Sequence, residues 1–373
     1  AGADRQGLNR PRREGAGVRL LFVHQNFPGQ FKHLAPALAR AGHQVLALSL
    51  QARAAAVWQG VRVVPYRVAR GNTPGLHPWL VDMETKTLRG AACFEAARGL
   101  RKQGFVPDVI VAHPGWGESL FLKQVWPQAR LGLYAEFFYR EQGGDVGFDP
   151  EFADADPEVA ACRLQLKNLN HQAHAGLADA ALSPTHWQAS TYPAEYQRLI
   201  TVVHDGIDTD ALCPDPGVCF RHPLPDGERQ WTRNDEVITF VARELEPYRG
   251  FHIFMRALPE LLRRRPQAQV LVVGGDGVSY GARPADGRSW KTVFSEEVRP
   301  QIGDADWARV HFLGKLPHDR FVDMLRVSRL HLYLSYPFVL SWSLLEAMSV
   351  GACVLGSDTA PVREAVSEGE TGR

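Results

Sequence analysis

Short apolar runs alternate with segments of helical periodicity along most of this chain. In the first half, residues 18–23 and 44–50 have the pattern of buried strands, and they flank a stretch with apolar residues at helical spacing. In the second half the same alternation starts again, with strand patterns at residues 237–241 and 269–273. Strands that are separated by helices pair in parallel. The pattern therefore predicts an α/β fold with two parallel-sheet halves.

A proline-rich stretch at residues 213–217, followed by Pro223 and Pro225, is the best linker candidate. We therefore predict a first domain at residues 17–210 and a second at residues 211–373. Residues 1–16 contain four arginines and few apolar side chains, and they are predicted to form a disordered basic leader. Two further stretches, residues 51–86 and the region around Tyr280 and Trp290, are predicted to be irregular.

The composition is that of an ordinary globular protein. The 373 residues are 45% hydrophobic and 22% charged, with a formal net charge of +1, so no overall field would attract nucleic acid. No apolar run reaches the length of a membrane span. The five cysteines are scattered and odd in number, which favours a reducing cytoplasmic setting over disulfides or zinc. Contact of the basic leader with the inner membrane face is the alternative location.

The strongest candidate site follows the strand pattern at residues 330–334. A loop leads from it into a short amphipathic helix that Gly351 ends. The carboxyl ends of parallel strands are where open α/β sheets bind phosphates and sugars. We expect Glu346 to accept hydrogen bonds from ribose or sugar hydroxyls and the N–H groups of residues 341–344 to be free for a diphosphate. The alternative is a capping box, with Ser343 as N-cap and Glu346 three residues later.

Two arginines flank the loop after the first strand of the second half. Arg243 and Arg249 can both reach the crevice at the strand ends, where two cations suit a diphosphate whose charge must be stabilised as it leaves. The alternative is an exposed pair of arginines in salt bridges with Glu244 and Glu246.

The first half offers two candidates at corresponding strand ends. Gly29 lies in the loop after the first strand, where it either lets a ligand approach the backbone or only permits a tight turn. This loop has no G-x-G-x-x-G, so a nicotinamide or flavin dinucleotide fingerprint is absent. His113 ends another buried strand. It either contacts the reacting sugar or is a structural histidine in a turn.

These motifs together resemble the retaining GT-B glycosyltransferases of glycosyltransferase family 4, over residues 18–373. The family's R-x5-K pattern corresponds to Arg243 and Arg249, and the second glutamate of its E-x7-E pattern corresponds to Glu346. Three further stretches carry the likeness, at residues 273–276, 311–315 and 345–358. The opening at residues 24–31 is similar to that of a bacterial subgroup.

The resemblance implies two Rossmann-like domains that face each other across a cleft, with the acceptor on the first domain and a UDP- or GDP-linked sugar donor on the second. His113, Arg243 and Arg249 would act in catalysis, with His113 touching the transferred sugar. The donor would be bound by Gly29, Gly275, Lys315, Leu316, Ser341, Trp342, Ser343 and Glu346. The acceptor would be a glycan, a lipid-linked molecule or a small molecule, and no nucleic acid would bind.

The resemblance also implies transfer with retention, by front-face attack in which the leaving phosphate helps to deprotonate the acceptor. No metal and no cofactor are expected, because arginines and helix dipoles can stabilise the diphosphate. The D-x-D triplets at residues 154–156, 208–210 and 304–306 are interpreted as chance features of acidic loops.

The chain departs from the family pattern at three points. Phe338 stands where the first glutamate of E-x7-E belongs, Arg249 replaces lysine, and the family normally continues beyond Arg373, so that the second domain is expected to be truncated. Two alternative functions follow. One is a non-catalytic sugar-nucleotide-binding protein, which Phe338 favours, and the other is a GT-B-fold sugar-nucleotide epimerase.

Overall fold

A computed structural model describes residues 17–52, 54–225 and 227–373, and the predicted leader at residues 1–16 lies outside these ranges. The chain forms two compact units. The first comprises the described residues from 17 to 134 together with Leu169–Leu182, and the second comprises the described residues of Ala135–Asn168 and Ser183–Arg373. The second unit thus includes a segment from within the predicted first domain. The boundary at residues 210 and 211 stays a prediction.

The secondary structure of the described residues alternates as the pattern predicts. Up to residue 212 the strands are β1 (Arg19–Val23), β2 (Gln44–Ser49), β3 (Ala56–Trp58), β4 (Val61–Pro65), β5 (Val109–Ala112), β6 (Arg130–Tyr134), β7 (Ala180–Ser183) and β8 (Ile200–Val202). The α-helices there are α1 (Leu34–Arg40), α2 (Val81–Lys102), α3 (Leu122–Val125), α4 (Pro157–Ala175), α5 (His186–Thr191) and α6 (Ala194–Gln197).

Beyond residue 212 the strands are β9 (Cys219–Leu224), β10 (Gly227–Thr232), β11 (Val237–Glu244), β12 (Gln269–Gly275), β13 (Val310–Gly314), β14 (Leu330–Tyr333) and β15 (Cys353–Gly356). The helices are α7 (Phe251–Arg264), α8 (Trp290–Val298), α9 (Asp304–Trp307), α10 (His318–Val327), α11 (Trp342–Ser349) and α12 (Ala360–Ala365). Across the described part of the chain, no helix combines the length and the apolar character needed to cross a bilayer.

The first sheet has the strand order β3-β4-β2-β1-β5-β6-β7-β8. The pairings from β4 through β7 are parallel, and β3 joins the edge antiparallel to β4. Alternate residues of β1 enter two different cores, with Leu21 on one face and Phe22 on the other. Both faces of this sheet are therefore covered, as in other doubly wound α/β folds.

The second sheet has the order β13-β12-β11-β14-β15 and is wholly parallel. Its first strand, β11, lies at the centre, so the chain runs outward through β12 and β13 and then returns to the other side of β11. The strand order reverses between β11 and β14. In doubly wound sheets, ligands bind at the carboxyl ends of the two strands at such a switch point. This confirms the prediction of two parallel-sheet α/β halves.

Three stretches that were predicted to be linker or irregular contain regular elements. Strands β9 and β10 form an antiparallel hairpin that includes Pro223, although this proline made the segment look like a linker. The hairpin carries mostly polar residues, so it lacks an apolar run, and the buried rings of Phe220 and Trp231 anchor it in the core. Strands β3 and β4 lie within residues 51–86, and α8 begins at Trp290. Short edge elements of this kind leave little periodicity to detect.

A buried histidine makes the second unit sensitive to acid. His331 in β14 is 0% exposed, and its Nδ1 lies 2.9 Å from Thr239 Oγ1. Burial lowers the pKa of His331 to about 4, below the ordinary value of 6.5. Between these two values the unfolded chain binds the additional proton, so this residue contributes stability that is lost as the pH falls from about 6.5 to about 4.

We predict that His331→Leu makes the loss of stability in this pH window shallower, by up to about 3 kcal/mol. Thr239 keeps a partner in the variant, because its Oγ1 also lies 2.8 Å from Ser328 Oγ. The measurement is the midpoint of urea unfolding at a series of pH values. His204→Leu, at an exposed position, serves as the control and should leave the dependence unchanged. Identical pH dependence in wild type and His331→Leu would contradict the prediction.

Candidate active site

The switch point of the second sheet is closed by direct backbone contact between two loops. Pro247–Arg249 forms one turn of 3-10 helix after β11, and Gly250 follows it with a φ of 72°. A Cβ atom on Gly250 would lie 2.2 Å from the Leu334 carbonyl oxygen, so only glycine fits there. The turn after β11 therefore packs against the loop between β14 and α11, residues 334–341, which we call the β14–α11 loop.

This contact places Arg249 on the β14–α11 loop. Its Nη1 donates to Ser335 Oγ at 3.1 Å, to the Val339 carbonyl oxygen at 3.4 Å and to Tyr333 Oη at 3.5 Å. Among the described residues, no carboxylate forms an ion pair with Arg249. The strand ends of β11 and β14 thus converge as predicted, and the arginine there is held by neutral acceptors.

Arg243 is placed differently. It lies near the end of β11 with an exposed side chain, and it makes no hydrogen bond or ion pair with any residue that the structure describes. The structure does not bring it into contact with Arg249 or Glu346. Neither arginine pairs with Glu244 or Glu246, so the alternative interpretation of this pair as a local salt-bridge cluster is wrong.

Glu346 lies in the second turn of α11 and is 5% exposed. Its Oε1 lies 2.9 Å from Nε2 of His318, the first residue of α10. The helix begins at Trp342, and its N-cap is Ser341, whose Oγ accepts from the Ser343 N–H. The capping-box alternative for Ser343 and Glu346 is therefore wrong, because the cap lies two residues earlier than the box requires.

The backbone at the start of α11 is largely occupied. The Ser341 N–H donates to Tyr333 Oη at 2.8 Å, the Ser343 N–H to Ser341 Oγ at 3.3 Å and the Leu344 N–H to the Ser341 carbonyl oxygen at 3.2 Å. The expectation that these N–H groups are free is wrong for these three residues. The indole Nε1 of Trp342 donates to Asp205 Oδ2 at 2.8 Å.

Gly275 and Lys315 are brought together by a carboxylate that the sequence did not single out. Glu244 lies opposite Gly275 in the pairing of β11 with β12. Its Oε1 pairs with Lys315 Nζ at 2.5 Å, and its Oε2 accepts from the Gly277 N–H at 2.8 Å. Leu316 packs at the edge of a core cluster. Lys315 is therefore fixed by an ion pair next to Gly275.

Glu246 is a second buried carboxylate that sequence reasoning missed. It is 0% exposed and accepts backbone N–H groups from Ser279 at 3.0 Å, from Tyr280 at 3.3 Å and from Gly281 at 3.0 Å. Three N–H donors on one carboxylate make strong charge-assisted hydrogen bonds. Glu246 thus fixes the loop after β12 against the turn that carries Arg249.

Phe338 is part of a ring cluster on the β14–α11 loop. It is 4% exposed, and its ring packs edge-on against Phe137 and Tyr280 at 4.8 Å each and against Tyr248 at 5.3 Å. The Arg249 guanidinium lies 5.2 Å from the Tyr280 ring and 5.9 Å from the Phe338 ring. Where the family pattern has a carboxylate, this chain therefore has an apolar ring beside the half-buried Arg249.

One group of potential metal ligands occurs among the described residues, at Asp149, Glu151 and His252. Its ligand atoms already have partners. Asp149 Oδ2 accepts from Tyr336 Oη and lies at the same distance, 2.8 Å, from His252 Nε2. Glu151 accepts hydrogen bonds from both terminal nitrogens of Arg256, at 2.6 and 2.7 Å. These contacts fasten the segment around Asp149 to the β14–α11 loop.

The D-x-D triplets are also engaged in local structure. In each triplet, one carboxylate accepts a hydrogen bond from a neighbouring group. The donors are Arg163 for Asp154, the Ala211 N–H for Asp208 and Arg309 for Asp306. These contacts are ordinary for acidic loops.

In the first unit, His113 lies at the end of β5 in an aromatic stack. Its ring is 4.2 Å from Trp116 and 5.5 Å from Tyr134, in both cases nearly parallel. The Gly115 N–H donates to Nδ1 at 3.1 Å. In the neutral ring the proton therefore resides on Nε2, which makes this nitrogen a hydrogen-bond donor.

Gly29 and His113 lie at the two strand ends of the first switch point, between β1 and β5, and His24 connects them. A Cβ on Gly29, whose φ is 47°, would lie 2.3 Å from the His24 ring. His24 is 5.6 Å from His113 between ring centres, and its Nε2 is 2.7 Å from Gln30 Oε1. His24 was missed as a site residue, although it is the first residue after a buried strand.

Two family models match the chain. The model described as "Glycosyl transferase family 4 group" matches residues 41–212, and the one described as "Glycosyl transferases group 1" matches residues 227–373. Among curated relatives, the D-inositol 3-phosphate glycosyltransferase of Rhodococcus jostii is 34% identical over 183 residues. This alignment covers 48% of the present chain and 37% of that protein, so the chain spans little more than a third of the relative's length.

Solved structures share the fold. Sucrose-phosphate synthase from Thermosynechococcus elongatus aligns with a TM-score of 0.65 at 16% identity, covering 95% of this chain and 85% of that one. HepE of Anabaena, in complex with UDP and glucose, aligns with a TM-score of 0.59 at 16% identity, covering 94% and 84%. At such identities the likeness concerns the fold alone, and that fold is GT-B.

We predict that Glu246→Gln loosens the loop after β12. The amide keeps one acceptor oxygen but places an NH2 group against backbone donors, and each charge-assisted bond that is lost is worth roughly 1.5–3 kcal/mol. Trypsin should therefore cleave severalfold faster after Arg288, as followed by mass spectrometry. The control is Glu260→Gln, an exposed partner of arginines in α7. Equal cleavage rates in Glu246→Gln and wild type would contradict the role of Glu246.

Proposed function

This chain belongs to glycosyltransferase family 4, and from that premise we propose that it transfers a sugar from a nucleoside diphosphate sugar to a hydroxyl group with retention of configuration. The second unit would bind the donor. The acceptor to test first is an inositol phosphate, because curated relatives are named for that substrate. Glycan and lipid-linked acceptors remain within the proposal.

The observation that carries the proposal is the half-buried cation at the switch point of the second sheet. Arg249 is hydrogen-bonded to neutral oxygens and forms no ion pair with a carboxylate among the described residues, although Glu246 acts on it electrostatically. Because Glu246 is itself bonded to three backbone N–H groups, the guanidinium keeps hydrogen-bonding capacity for a ligand of opposite charge. The guanidinium fork suits phosphate oxygens. Arg249 is therefore proposed to bind the diphosphate, with Arg243 as a second, exposed cation.

The other proposed donor contacts also belong to the second unit. Glu346, buried and bonded to His318, is proposed to accept hydrogen bonds from the ribose hydroxyls. The remaining proposed contacts are Gly275, Lys315, Leu316, Ser341, Trp342 and Ser343. The N–H groups of Ser341 and Ser343 already donate to Tyr333 Oη and Ser341 Oγ. Their hydroxyls, which lie 2.9 Å apart, are therefore the groups proposed to bind the donor.

The proposed reaction is a front-face displacement. The bond between the anomeric carbon and the phosphate oxygen breaks, a bond from the acceptor oxygen to the same face of the anomeric carbon forms, and the acceptor proton passes to a leaving phosphate oxygen. The products are the glycoside and the nucleoside diphosphate. Arg249 would stabilise the charge that develops on the leaving group. His113, a donor at Nε2 in its neutral form, is proposed to bind a hydroxyl of the transferred sugar.

The proposal includes no metal ion. Stabilisation of the leaving group is assigned to Arg243, Arg249 and the amino-terminal end of α11. A second candidate function, non-catalytic sugar-nucleotide binding, is favoured by one observation. Phe338 is a buried ring where the family pattern places a hydroxyl-binding carboxylate. A transfer or donor-hydrolysis assay distinguishes the two, because a binding protein would hold the donor without turnover.

We predict that Arg249→Ala weakens binding of the nucleoside diphosphate by about 10- to 100-fold, as expected for the loss of roughly 1.5–3 kcal/mol in charge-assisted hydrogen bonds. Arg243→Ala should weaken it less, since its side chain is exposed to solvent. Binding of the free nucleoside should barely change in either variant. Glu346→Gln should weaken both ligands, because both contain the ribose. Calorimetry with UDP, GDP and ADP and their nucleosides provides the measurement.

Arg263→Ala is a matched control, because this arginine is exposed on α7 and pairs with Glu260. It should leave all affinities unchanged. Equal losses for nucleoside and diphosphate in the arginine variants would reject the phosphate role. Unchanged binding in Glu346→Gln would reject the ribose role.

His113→Ala tests the first unit separately. If His113 contacts the transferred sugar, the variant should retain nucleoside diphosphate binding and lose at least tenfold in the transfer rate, since a positioned donor is removed from the reacting sugar. The rate is measured with saturating donor, and His77→Ala is the control at another histidine of the first unit. Unchanged transfer with normal donor binding would make His113 structural.

A further inference from the structure

Asp145 is a buried carboxylate with no side-chain hydrogen-bond partner. The residue is 2% exposed, and neither carboxylate oxygen makes a well-formed hydrogen bond with a described residue. Among the described residues, only the backbone N–H groups of Asp145 itself and of Val146 act on it as donors. Buried polar groups in proteins are almost always satisfied, and an exception is a common sign of a ligand or a functional role.

The electrostatic surroundings of Asp145 do not compensate for its burial. Burial raises its pKa to about 6, from an ordinary value of 3.8. The backbone N–H groups of Asp145 and Val146 and the charge of Lys167 act in the opposite direction and offset this only in part. Lys167 Nζ itself lies over the Tyr139 ring, 3.6 Å from its centre. At neutral pH the carboxylate is therefore ionised and in need of donors.

Asp145 belongs to a segment that is fastened to the β14–α11 loop on both sides of it. Before Asp145, the ring of Phe137 packs against Phe338 at 4.8 Å. After it, Phe148 packs against Tyr336 at 5.1 Å, and Asp149 accepts from Tyr336 Oη. The Phe148 N–H also donates to the Asp145 carbonyl oxygen at 3.4 Å, which folds the chain back at this point.

The β14–α11 loop, to which this segment is attached, brings a cation close to an apolar ring. Arg249, the proposed diphosphate ligand, lies 5.9 Å from the Phe338 ring, and Phe338 adjoins Phe137. In a nucleotide sugar, the group next to the diphosphate is a hexose rich in hydroxyl donors. Phe338 offers these hydroxyls no acceptor. A carboxylate on the adjoining segment would supply the acceptor that position 338 lacks.

We propose that the Asp145 carboxylate binds hydroxyl groups of the transferred sugar and so determines the specificity of the donor site. This proposal rests on the proposed function, since it requires a nucleotide sugar on Arg249. The chemistry is direct, because two sugar hydroxyls can donate to the two oxygens that lack side-chain partners. Asp145 then binds the sugar and not the nucleotide, which separates its role from those of Arg249 and Glu346.

The test compares Asp145→Asn with wild type by calorimetry. The probes are three pairs of ligands: UDP with UDP-glucose, GDP with GDP-mannose, and ADP with ADP-glucose. For the nucleotide that the wild type binds, the variant should lose at least tenfold in affinity for the nucleotide sugar and less than twofold for the diphosphate alone. Glu141→Gln, an exposed carboxylate in the same loop, is the control and should change neither affinity.

Two outcomes overturn the proposal in distinguishable ways. If the wild type binds none of the three diphosphates, the proposed function fails and this inference fails with it. If the wild type binds a diphosphate but Asp145→Asn changes both ligands equally, or neither, the inference alone is wrong and the donor site on Arg249 stands.

Thermal unfolding separates a binding role from a structural one. A sugar-binding Asp145 is an unpaired buried charge in the free protein, so Asp145→Asn should melt at the same temperature as wild type or higher at pH 7.5. The difference should shrink at pH 5, where the wild-type carboxyl is protonated. A lower melting temperature of Asp145→Asn at pH 7.5 would show that the carboxylate supports the fold, and it would overturn the proposal.

Discussion

The contact between Gly250 and the Leu334 carbonyl is the constraint on which the second unit's site depends. Strand order alone brings β11 and β14 side by side, but it leaves open how their loops meet. With no side chain at position 250, the turn after β11 lies directly on the β14–α11 loop, and Arg249 reaches three of its oxygens. A Cβ there would separate the two loops, and the arginine would lose the acceptors that orient it.

The charged side chains around this contact are held in place by different kinds of partner. Glu246 is immobilised by backbone N–H groups, and Glu244 by Lys315. Arg249 is held by neutral oxygens and by the faces of aromatic rings and forms no ion pair among the described residues, although Glu246 acts on it electrostatically. Carboxylates with several local donors stabilise loops, whereas a half-buried cation without an ion pair and a buried carboxylate without a side-chain partner can still bind a ligand.

The features that follow from periodicity could be predicted from the sequence. Alternating strands and helices fixed the two parallel sheets, and the strand ends at Arg249 and His113 followed from them. What could not be predicted depends on loop conformation. Ser341 and not Ser343 caps α11, a difference of two residues that removes the capping box. Glu246 looks like a surface residue in the sequence, because its partners lie more than thirty positions away.

The hairpin of β9 and β10 was missed for a related reason. Its polar strands carry one buried aromatic residue each, and a proline within β9 is typical of linkers. Edge strands tolerate proline, since the missing N–H is not needed for pairing on the open side. Local composition therefore indicated a linker, although the two aromatic residues pack into a core.

The second unit is built from two separate stretches of the chain, and this affects the order in which it can fold. Ala135–Asn168 leaves the ribosome well before the strands of the second sheet, yet it belongs to the same compact unit as they do. Its aromatic residues, among them Phe137 and Phe148, can reach Phe338 and Tyr336 only after about 190 further residues have been synthesised. A nascent chain must therefore keep this apolar segment from aggregating in the meantime, and its late docking is a long-range step that is slow by nature.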